Sequence, residues 1–217
     1  MSKSYMQDLK IIAKMKDGRV ASYNFDLMFD AILYSAYAKC YLPDLYKKPT
    51  RDFTDFELPL ARHVFAENDF YYLCSKAFFE SDKDNRQDIE FFNKRQDLTE
   101  AENFLDDSAS KKDIGDGRGK YKAYRNALVV RYAKNIFWYA YGIKSEIEKL
   151  LNYIDAIGSK KNIGYGIVEK WTVQECEKIQ FDKSMRPIPN ENGNCLKRIR
   201  PPYHYFKRTR RCDFDLR

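Results

Sequence analysis

Apolar and polar residues alternate near the start of the chain and then give way to a helical pattern. Between residues 9 and 15 every second residue is apolar, with Ile12 as an exception, which predicts a strand with one buried face. The turn Asp17-Gly18 ends this strand. A helix capped by Asn24 or Asp26 then runs to about Lys39. Because that helix is apolar almost all round, we expect it to be buried against a sheet.

Two hairpins, a second helix and a last strand follow along the chain. The hairpins are predicted over residues 63–79 and 128–141, the helix over 145–157, and the strand over 167–173. The apolar residues of the second helix recur on one face and are Ile147, Leu150, Leu151 and Ile154. This order predicts an α+β fold, specifically the ferredoxin-like sandwich of RNA-recognition modules.

Composition divides the chain into a domain, an insertion and an arm. We predict the ferredoxin-like domain over residues 1–178, interrupted by an acidic, polar insertion over 82–120. The capping box Thr99-x-x-Glu102 predicts a short helix within this insertion. Residues 179–217 are punctuated by prolines and form a basic, aromatic C-terminal arm.

A basic, glycine-rich segment, residues 158–166, joins the second helix to the last strand and is called the glycine loop below. It contains Gly158, Lys160, Lys161, Gly164, Tyr165 and Gly166. Glycines let backbone amides approach a ligand and lysines supply positive charge, which together suit a phosphate backbone. The same glycines would equally serve a helix that enters a strand through a bulge, and the pattern alone leaves both interpretations open. The loop runs from helix to strand, opposite to Rossmann and P-loop motifs, which argues against a nucleotide cofactor.

Charge is segregated along the 217 residues, whose net charge is +7. Residues 183–217 hold ten Lys and Arg against three acids, and residues 110–170 hold thirteen against six. Acidic residues concentrate instead in residues 80–107. Such segregation indicates a polyanionic partner on one surface, with nucleic acid as the leading candidate.

Several classes of protein are disfavoured by composition. The five cysteines are scattered and unpaired by spacing, and there are only two histidines, His63 and His204, so neither a zinc site nor another metal centre is expected. No cofactor is expected. No apolar run is long enough to span a membrane, so we expect a cytoplasmic protein with reduced thiols.

Three stretches of sequence resemble a known family. The segment I-G-S-K-K-N-I-G-Y-G-I-V-E-K-W-T-V, which includes the glycine loop, resembles the C-terminal glycine-rich signature of CRISPR-associated RAMP proteins. More narrowly, it is similar to the Csf-family subunit of type IV CRISPR complexes that caps the 5′ handle of the guide RNA. Phe29-Asp30-Ala31-Ile32-Leu33 and Gly119-Lys120-Tyr121-Lys122-Ala123-Tyr124 support the likeness.

The resemblance implies a non-catalytic RNA-binding subunit with a ferredoxin-like fold. Its glycine loop would lie against the guide RNA, and a hairpin would reach a neighbouring backbone subunit. The implied partners are the guide RNA 5′ handle, the backbone and large subunits of an effector complex, and target DNA. All six residues named above for the glycine loop would line the RNA, and Lys120, Lys122 and Arg125 are second-rank contacts.

The arm admits two interpretations. It binds RNA or target DNA through cations interleaved with aromatic residues, or it docks on an acidic face of a partner or of this same chain, for which residues 80–107 are a candidate. Because arginine predominates and aromatics interleave, we favour nucleic acid. The arm cations predicted to bind are Arg198, Arg200, Lys207, Arg208, Arg210 and Arg211.

Two rival hypotheses come from other classes of protein. Some RAMP relatives cleave CRISPR repeat RNA without metal, and here His63 or His204 would be the general acid or base, with Lys160 or Lys161 stabilising phosphate charge. A structural or inhibitory protein that binds a nucleoprotein complex would explain the charge and the aromatic residues. That last hypothesis leaves the glycine loop unexplained.

Overall fold

The structure of the chain is a computed structural model that describes residues 5–22, 26–42, 55–80, 87–94 and 123–215. It divides into two units. The first comprises Met1–Arg86 with Arg131–Arg217, and the second comprises Gln87–Val130. Helices and antiparallel sheets occur together, which confirms the predicted α+β class.

The described elements are named in chain order. They are β1 (Gln7–Met15), β2 (Arg19–Ala21), α1 (Phe29–Tyr41), β3 (Arg62–Ala66), β4 (Asp69–Tyr72), β5 (Phe78–Glu80), β6 (Gln87–Lys94), β7 (Tyr124–Tyr132), β8 (Asn135–Gly142), α2 (Lys144–Leu151), β9 (Val168–Glu175), β10 (Ile188–Pro189), β11 (Cys195–Arg198) and β12 (Thr209–Asp213).

The central sheet of the first unit has the strand order β5-β8-β1-β9. β1 lies in the middle and pairs antiparallel with β8 and β9. The pairing with β9 shifts register between Lys14 and Met15. β5 pairs antiparallel with β8, so Phe78 lies opposite Phe137. Both central strands therefore have a partner on each side.

Alternation of apolar residues explains why these strands bury one face only. The residues of β1 predicted to point inward are all buried, and Ile136, Trp138 and Ala140 of β8 are fully buried opposite them. The indole nitrogen of Trp138 donates a hydrogen bond to the carbonyl oxygen of Leu27, 2.8 Å away. The largest core side chain thus ties the sheet to the chain just before α1.

Both helices contribute to this core. Phe29 and Leu33 of α1, with Ile147 and Leu151 of α2, belong to the same buried cluster as the inward face of the sheet. α1 begins at Phe29 and has no side-chain cap. Its N-cap is Met28 and not the predicted Asp26, while Asn24, the other predicted cap, lies outside the described residues.

The second helix ends earlier than predicted, at Leu151 instead of residue 157. After it, the backbone pairs with the chain entering β9. The Ile157 amide donates to the Gly166 carbonyl at 2.9 Å, and Ala156 forms a bridge with Ile167. The Trp171 indole donates to the carbonyl of Ile154 at 2.9 Å. These tertiary hydrogen bonds replace the last turns of helix that the apolar spacing suggested.

One predicted hairpin forms and the other is wrong. β3 and β4 pair around Asn68, which has a φ of 62° in the left-handed region. The two strands expected over residues 128–141 do not pair with each other, because β8 pairs on its two sides with β1 and β5. The short turn at 133–135 suggested a hairpin, but the apolar face of β8 instead enters the central sheet.

Residues of the predicted arm form a small sheet in the first unit. β12 lies between β10 and β11 and pairs antiparallel with both. Ile199 and Cys212 are buried there together with Tyr71 of β4. This three-stranded sheet, β10 to β12, is called the C-terminal sheet below.

The second unit contains β6 and most of β7, which are neighbours in one sheet. β6 lies within the acidic stretch, where no strand was predicted. Ile89 and Phe91 lie two residues apart on β6, and their side chains are more than half exposed, at 62% and 52%. The short helix predicted after Thr99 falls outside the described residues. Across the described ranges, no helix is long and apolar enough to cross a membrane.

Candidate nucleic-acid interface

The glycine loop has the left-handed backbone that its glycines predict. Gly158, Gly164 and Gly166 have φ values of 81°, 95° and 69°. Lys160 also lies in this region at 57°, and a short 3-10 turn over Lys161–Ile163 follows it. Since only glycine adopts such angles freely, the spacing of the glycines fixes the path of the loop.

Two of these glycines are needed because backbone atoms of other segments lie close to them. A Cβ atom on Gly158 would lie 2.5 Å from the carbonyl oxygen of Ala21, and one on Gly166 would overlap the carbonyl of Ile157. The Ser159 amide donates to the carbonyl oxygen of Ala21 at 2.7 Å, and the Gly166 amide donates to the carbonyl oxygen of Arg19 at 2.8 Å. Gly158 and Gly166 therefore serve the connection between elements, as the second interpretation of this loop proposed.

Gly164 differs from the other two glycines because nothing lies within 4 Å of the position its Cβ would take. Its amide donates to the carbonyl oxygen of Lys161 at 3.2 Å. The amides of both Gly164 and Gly166 are thus already used within the chain. These two amides are therefore not offered to a phosphate, whereas the loop also carries two lysine side chains and has open space at Gly164.

The lysines of the loop differ in their surroundings. Lys161 is exposed by surface area, but partial desolvation of its ammonium group, together with the positive charge of Lys39, lowers its pKa. Lys160 is half-buried and precedes it in the same turn. The guanidinium of Arg19 lies 5.3 Å from the centre of the Tyr165 ring. A polyphosphate anion near Lys161 would relieve the repulsion from Lys39.

A cavity of about 590 Å³ opens beside the glycine loop and is called the loop cavity below. Its walls come from α1, from the chain that leads into the glycine loop, and from the C-terminal sheet. Lys161, Lys197 and Arg198 line it and supply three cationic side chains. Asp26 also lines the loop cavity and forms an ion pair with Lys197 at 3.0 Å. The fold thus brings Gly158 and Lys161 together with Arg198, which is 37 residues further along the chain.

Three other predicted arm cations are directed at carboxylates of the first unit. The guanidinium groups of Arg200 and Arg208 contact Asp55 at 3.4 and 2.6 Å. Arg210 donates to Asp69 at 2.6 Å. The acids that these side chains contact are thus Asp55 and Asp69, within the chain itself. Two carboxylates thus compensate part of the charge of these three guanidinium groups.

The remaining predicted residues lie apart from the loop cavity. Arg211 donates to the carbonyl of Gly193 at 3.2 Å, and Lys207 is exposed. Arg125 belongs to the second unit, where its guanidinium lies 3.9 Å from the centre of the Phe91 ring. Lys120 and Lys122 fall outside the described residues.

A buried polar cluster, which the sequence did not reveal as a unit, lies behind the loop cavity. Asp30 and Arg186 are both fully buried and their charged groups are 3.9 Å apart. The Tyr203 hydroxyl donates to Asp30 at 2.9 Å, and Arg186 donates to the carbonyls of Cys74 and Ile199 at 3.2 and 2.9 Å. Burial raises the pKa of Asp30, while the Arg186 guanidinium and the Tyr203 hydroxyl oppose that rise. An acid within an otherwise apolar stretch of helix was the one visible clue.

The groups that would act in RNA cleavage are not gathered at the loop cavity. His63 is exposed on β3 and stacks on Tyr71 with ring centres 4.9 Å apart. His204 is exposed, and neither histidine lines the loop cavity. Burial raises the pKa of the Cys74 thiol to about 12, so it does not supply a thiolate at neutral pH. In the described part of the chain, no cluster of three or more His, Cys, Asp or Glu could hold a metal ion.

An α+β protein with a basic cavity beside a glycine loop is compatible with a binding subunit. A family model described as CRISPR type IV associated protein Csf3 matches residues 7–213. Because the match covers nearly the whole chain, the protein belongs to this family, and the resemblance to a Csf-family type IV subunit is confirmed. A search of curated proteins finds no match.

Proposed function

We propose that this type IV CRISPR-associated protein is a non-catalytic RNA-binding subunit that grips the 5′ handle of the guide RNA. The observation that carries the proposal is the loop cavity, where Lys161 of the glycine loop faces the same space as Lys197 and Arg198. Cations on one concave surface bind phosphates by charge and exclude solvent around them. The same subunit would assemble with the backbone and large subunits of an effector complex for target DNA binding, in the cytoplasm.

The strand order supports a ferredoxin-like fold of the RAMP type. β1, α1 and β5 form one β-α-β half of the first unit, and β8, α2 and β9 form the other. In the sheet, β8 and β1 are central while β5 and β9 lie at the edges. This is the arrangement expected of two interlocked β-α-β halves. Such a sandwich is the usual scaffold for proteins that recognise single-stranded RNA.

The absence of catalysis is also part of the proposal. General acid-base cleavage requires a proton-transfer group within hydrogen-bond reach of the scissile phosphate. Neither His63 nor His204 lines the loop cavity, so a phosphate held by Lys161 has no histidine on the wall beside it. The same lysines would then hold an RNA that stays intact.

The test is to incubate the full chain with labelled CRISPR-repeat RNA or a scrambled RNA and measure both retention and cleavage. We expect preferential retention of intact repeat RNA. The double variant Lys160→Ala/Lys161→Ala should weaken binding about tenfold or more, since two phosphate contacts are lost. The control Lys178→Ala/Lys183→Ala removes the same charge at two exposed positions outside the loop cavity and should leave the Kd unchanged.

Three results would count against the proposal. Absence of RNA retention at physiological salt would reject RNA binding by the isolated chain. Equal losses in the two double variants would reject a specific role for the glycine loop. A discrete cut that persists in chelator and disappears in His63→Ala or His204→Ala would replace the binding subunit with an endoribonuclease.

A further inference from the structure

The loop cavity has two chemically different walls. One wall is apolar and comes from α1 and the chain before it, through Leu27, Met28, Ala31 and Ile32. A second part of the lining is cationic, through Lys161 and Arg198. An anion alone would not need the first wall, and an apolar ligand alone would not need the second.

We propose that the loop cavity receives one unstacked nucleotide of the bound RNA. Its base lies against the apolar wall of α1, and its phosphate lies between Lys161 and Arg198. This inference rests on the proposed function and adds to it the size and chemistry of the group that is recognised. Sequence-specific RNA-binding proteins commonly bind single bases that have left the stack, so this mode of recognition is a common one.

The size of the loop cavity agrees with this occupant. About 590 Å³ falls within the range of sites that enclose small organic ligands, and it admits one nucleotide rather than a duplex. The side chains of Ser35 and Ser159, each with a hydroxyl group, line the same space. They can donate to and accept from a base edge or a ribose 2′-hydroxyl, which apolar walls cannot do.

The charges of the loop cavity indicate where the phosphate would bind. Lys197 is held by Asp26 at 3.0 Å, so its charge is partly compensated. Lys161 and Arg198 form no ion pair with any residue that the structure describes. Arg198 and Lys161 are both exposed, so the phosphate would sit at the mouth while the base points inward. That polarity matches a nucleotide of a longer strand, whose backbone must remain outside.

The first experiment uses the full chain and repeat RNA with 2-aminopurine at one position at a time. We expect a large rise in fluorescence at a single position on binding, because only that base leaves the stack. Ala31→Leu and Ser35→Leu each place a larger side chain on a wall of the loop cavity and leave its cations in place. Both variants should abolish the rise in fluorescence and raise the Kd about tenfold, the order expected from one buried base.

A matched control separates filling of the cavity from a general effect of adding leucine. Ser145→Leu makes the same change as Ser35→Leu at an exposed site on α2 and should bind like the wild type. An RNA that lacks the base at the responsive position should bind the wild type and Ala31→Leu equally. Thermal melting of each variant establishes that it is folded, and two independent filling variants guard against one misfolding.

The possible results distinguish this inference from the proposed function. If the wild type binds repeat RNA and both filling variants keep its Kd and its fluorescence, the inference is overturned and the proposed function stands. If the wild type does not bind repeat RNA, both fail together. If free 5′-AMP binds the wild type but not Ala31→Leu, while the RNA response is independent of the cavity, the occupant is a free nucleotide and the RNA inference is overturned.

Discussion

At the scale of the residue, the three glycines of the glycine loop have different structural roles. Gly158 and Gly166 allow backbone atoms of neighbouring segments to approach, whereas Gly164 needs glycine only for its φ of 95°. The sequence shows three similar glycines, and only the positions of the surrounding carbonyls separate them. A test of stability can therefore separate geometry from ligand binding.

We predict that Gly166→Ala costs about 3 kcal/mol or more, because a methyl group there overlaps the Ile157 carbonyl in addition to the unfavourable φ. Gly164→Ala should cost only about 1 kcal/mol, the conformational penalty alone. Urea unfolding of both variants measures the difference. Similar losses of stability in the two variants would contradict the assignment of different roles.

The charge of Lys161 leads to a prediction about the pH dependence of RNA binding. Its pKa is lowered by burial and by Lys39, so its neutral form appears at a lower pH than that of an ordinary lysine. We predict that RNA affinity falls as the pH rises through this lowered pKa. Binding measured from about pH 7 to about pH 10 should show the decline in the wild type.

The control for this pH dependence is Lys161→Arg, in which the guanidinium stays charged throughout the range. Its affinity should stay level until ordinary lysines begin to lose their protons. An identical decline in the variant would show that a different group titrates. The comparison thus assigns the pH dependence to one side chain.

At the scale of the element, the buried pair Asp30–Arg186 joins α1 to the segment that leads into the C-terminal sheet. Removing one partner leaves a buried charge without its counter-charge. We predict that Asp30→Asn destabilises the fold by about 3–5 kcal/mol, and that Arg186→Met does so to a similar degree. Denaturant unfolding of the single and double variants measures the coupling.

The double variant should lose markedly less stability than the sum of the two single losses, since no charge is then left unpaired. Tyr203→Phe, which removes only the hydroxyl that donates to Asp30, serves as a smaller perturbation at the same place. It should cost about 1–2 kcal/mol. Additive losses would mean that the two charges do not stabilise each other.

Elements with strict periodicity were predictable from the sequence, whereas partners distant in the chain were not. β1 follows from its alternation, and the glycine loop from its glycines, because both patterns are local. The false hairpin at 128–141 arose because a short turn between two strands favours pairing in sequence, but both edges of β8 go to β1 and β5. The helix end at Leu151 depends on hydrogen bonds to residues 166 and 171, which no local pattern contains.

The candidate site was predictable in part for the same reason. Lys161 and Arg198 were each chosen from a basic local sequence, and the structure places both on the loop cavity. The contribution of Ala31, Ile32 and Ser35 was missed, because an apolar helix facing a cavity has the same pattern as one facing a core. Local composition also could not show that Asp55 and Asp69 compensate Arg208 and Arg210.

At the scale of the whole molecule, the number of cations in the C-terminal region overstates how many are available to RNA. Residues 183–217 hold ten Lys and Arg, but Arg200, Arg208 and Arg210 contact carboxylates of the same chain. Intramolecular pairing holds the C-terminal sheet beside β3 and β4. A polyanion would therefore meet a few cations around the loop cavity instead of the full basic arm.

The salt dependence of RNA binding tests this view of the molecule. About four phosphate contacts to a single strand give a slope of log K against log salt of about −3, whereas engagement of the whole arm would make it much steeper. Arg198→Ala should reduce the magnitude of the slope by about 0.7, the loss of one phosphate contact. Arg210→Ala should leave it unchanged, because that guanidinium is held by Asp69 at 2.6 Å. Titrations over a range of salt concentrations measure both slopes. A reduction in Arg210→Ala equal to that in Arg198→Ala would show that RNA displaces Asp69, so that the arm binds nucleic acid after opening its own ion pairs.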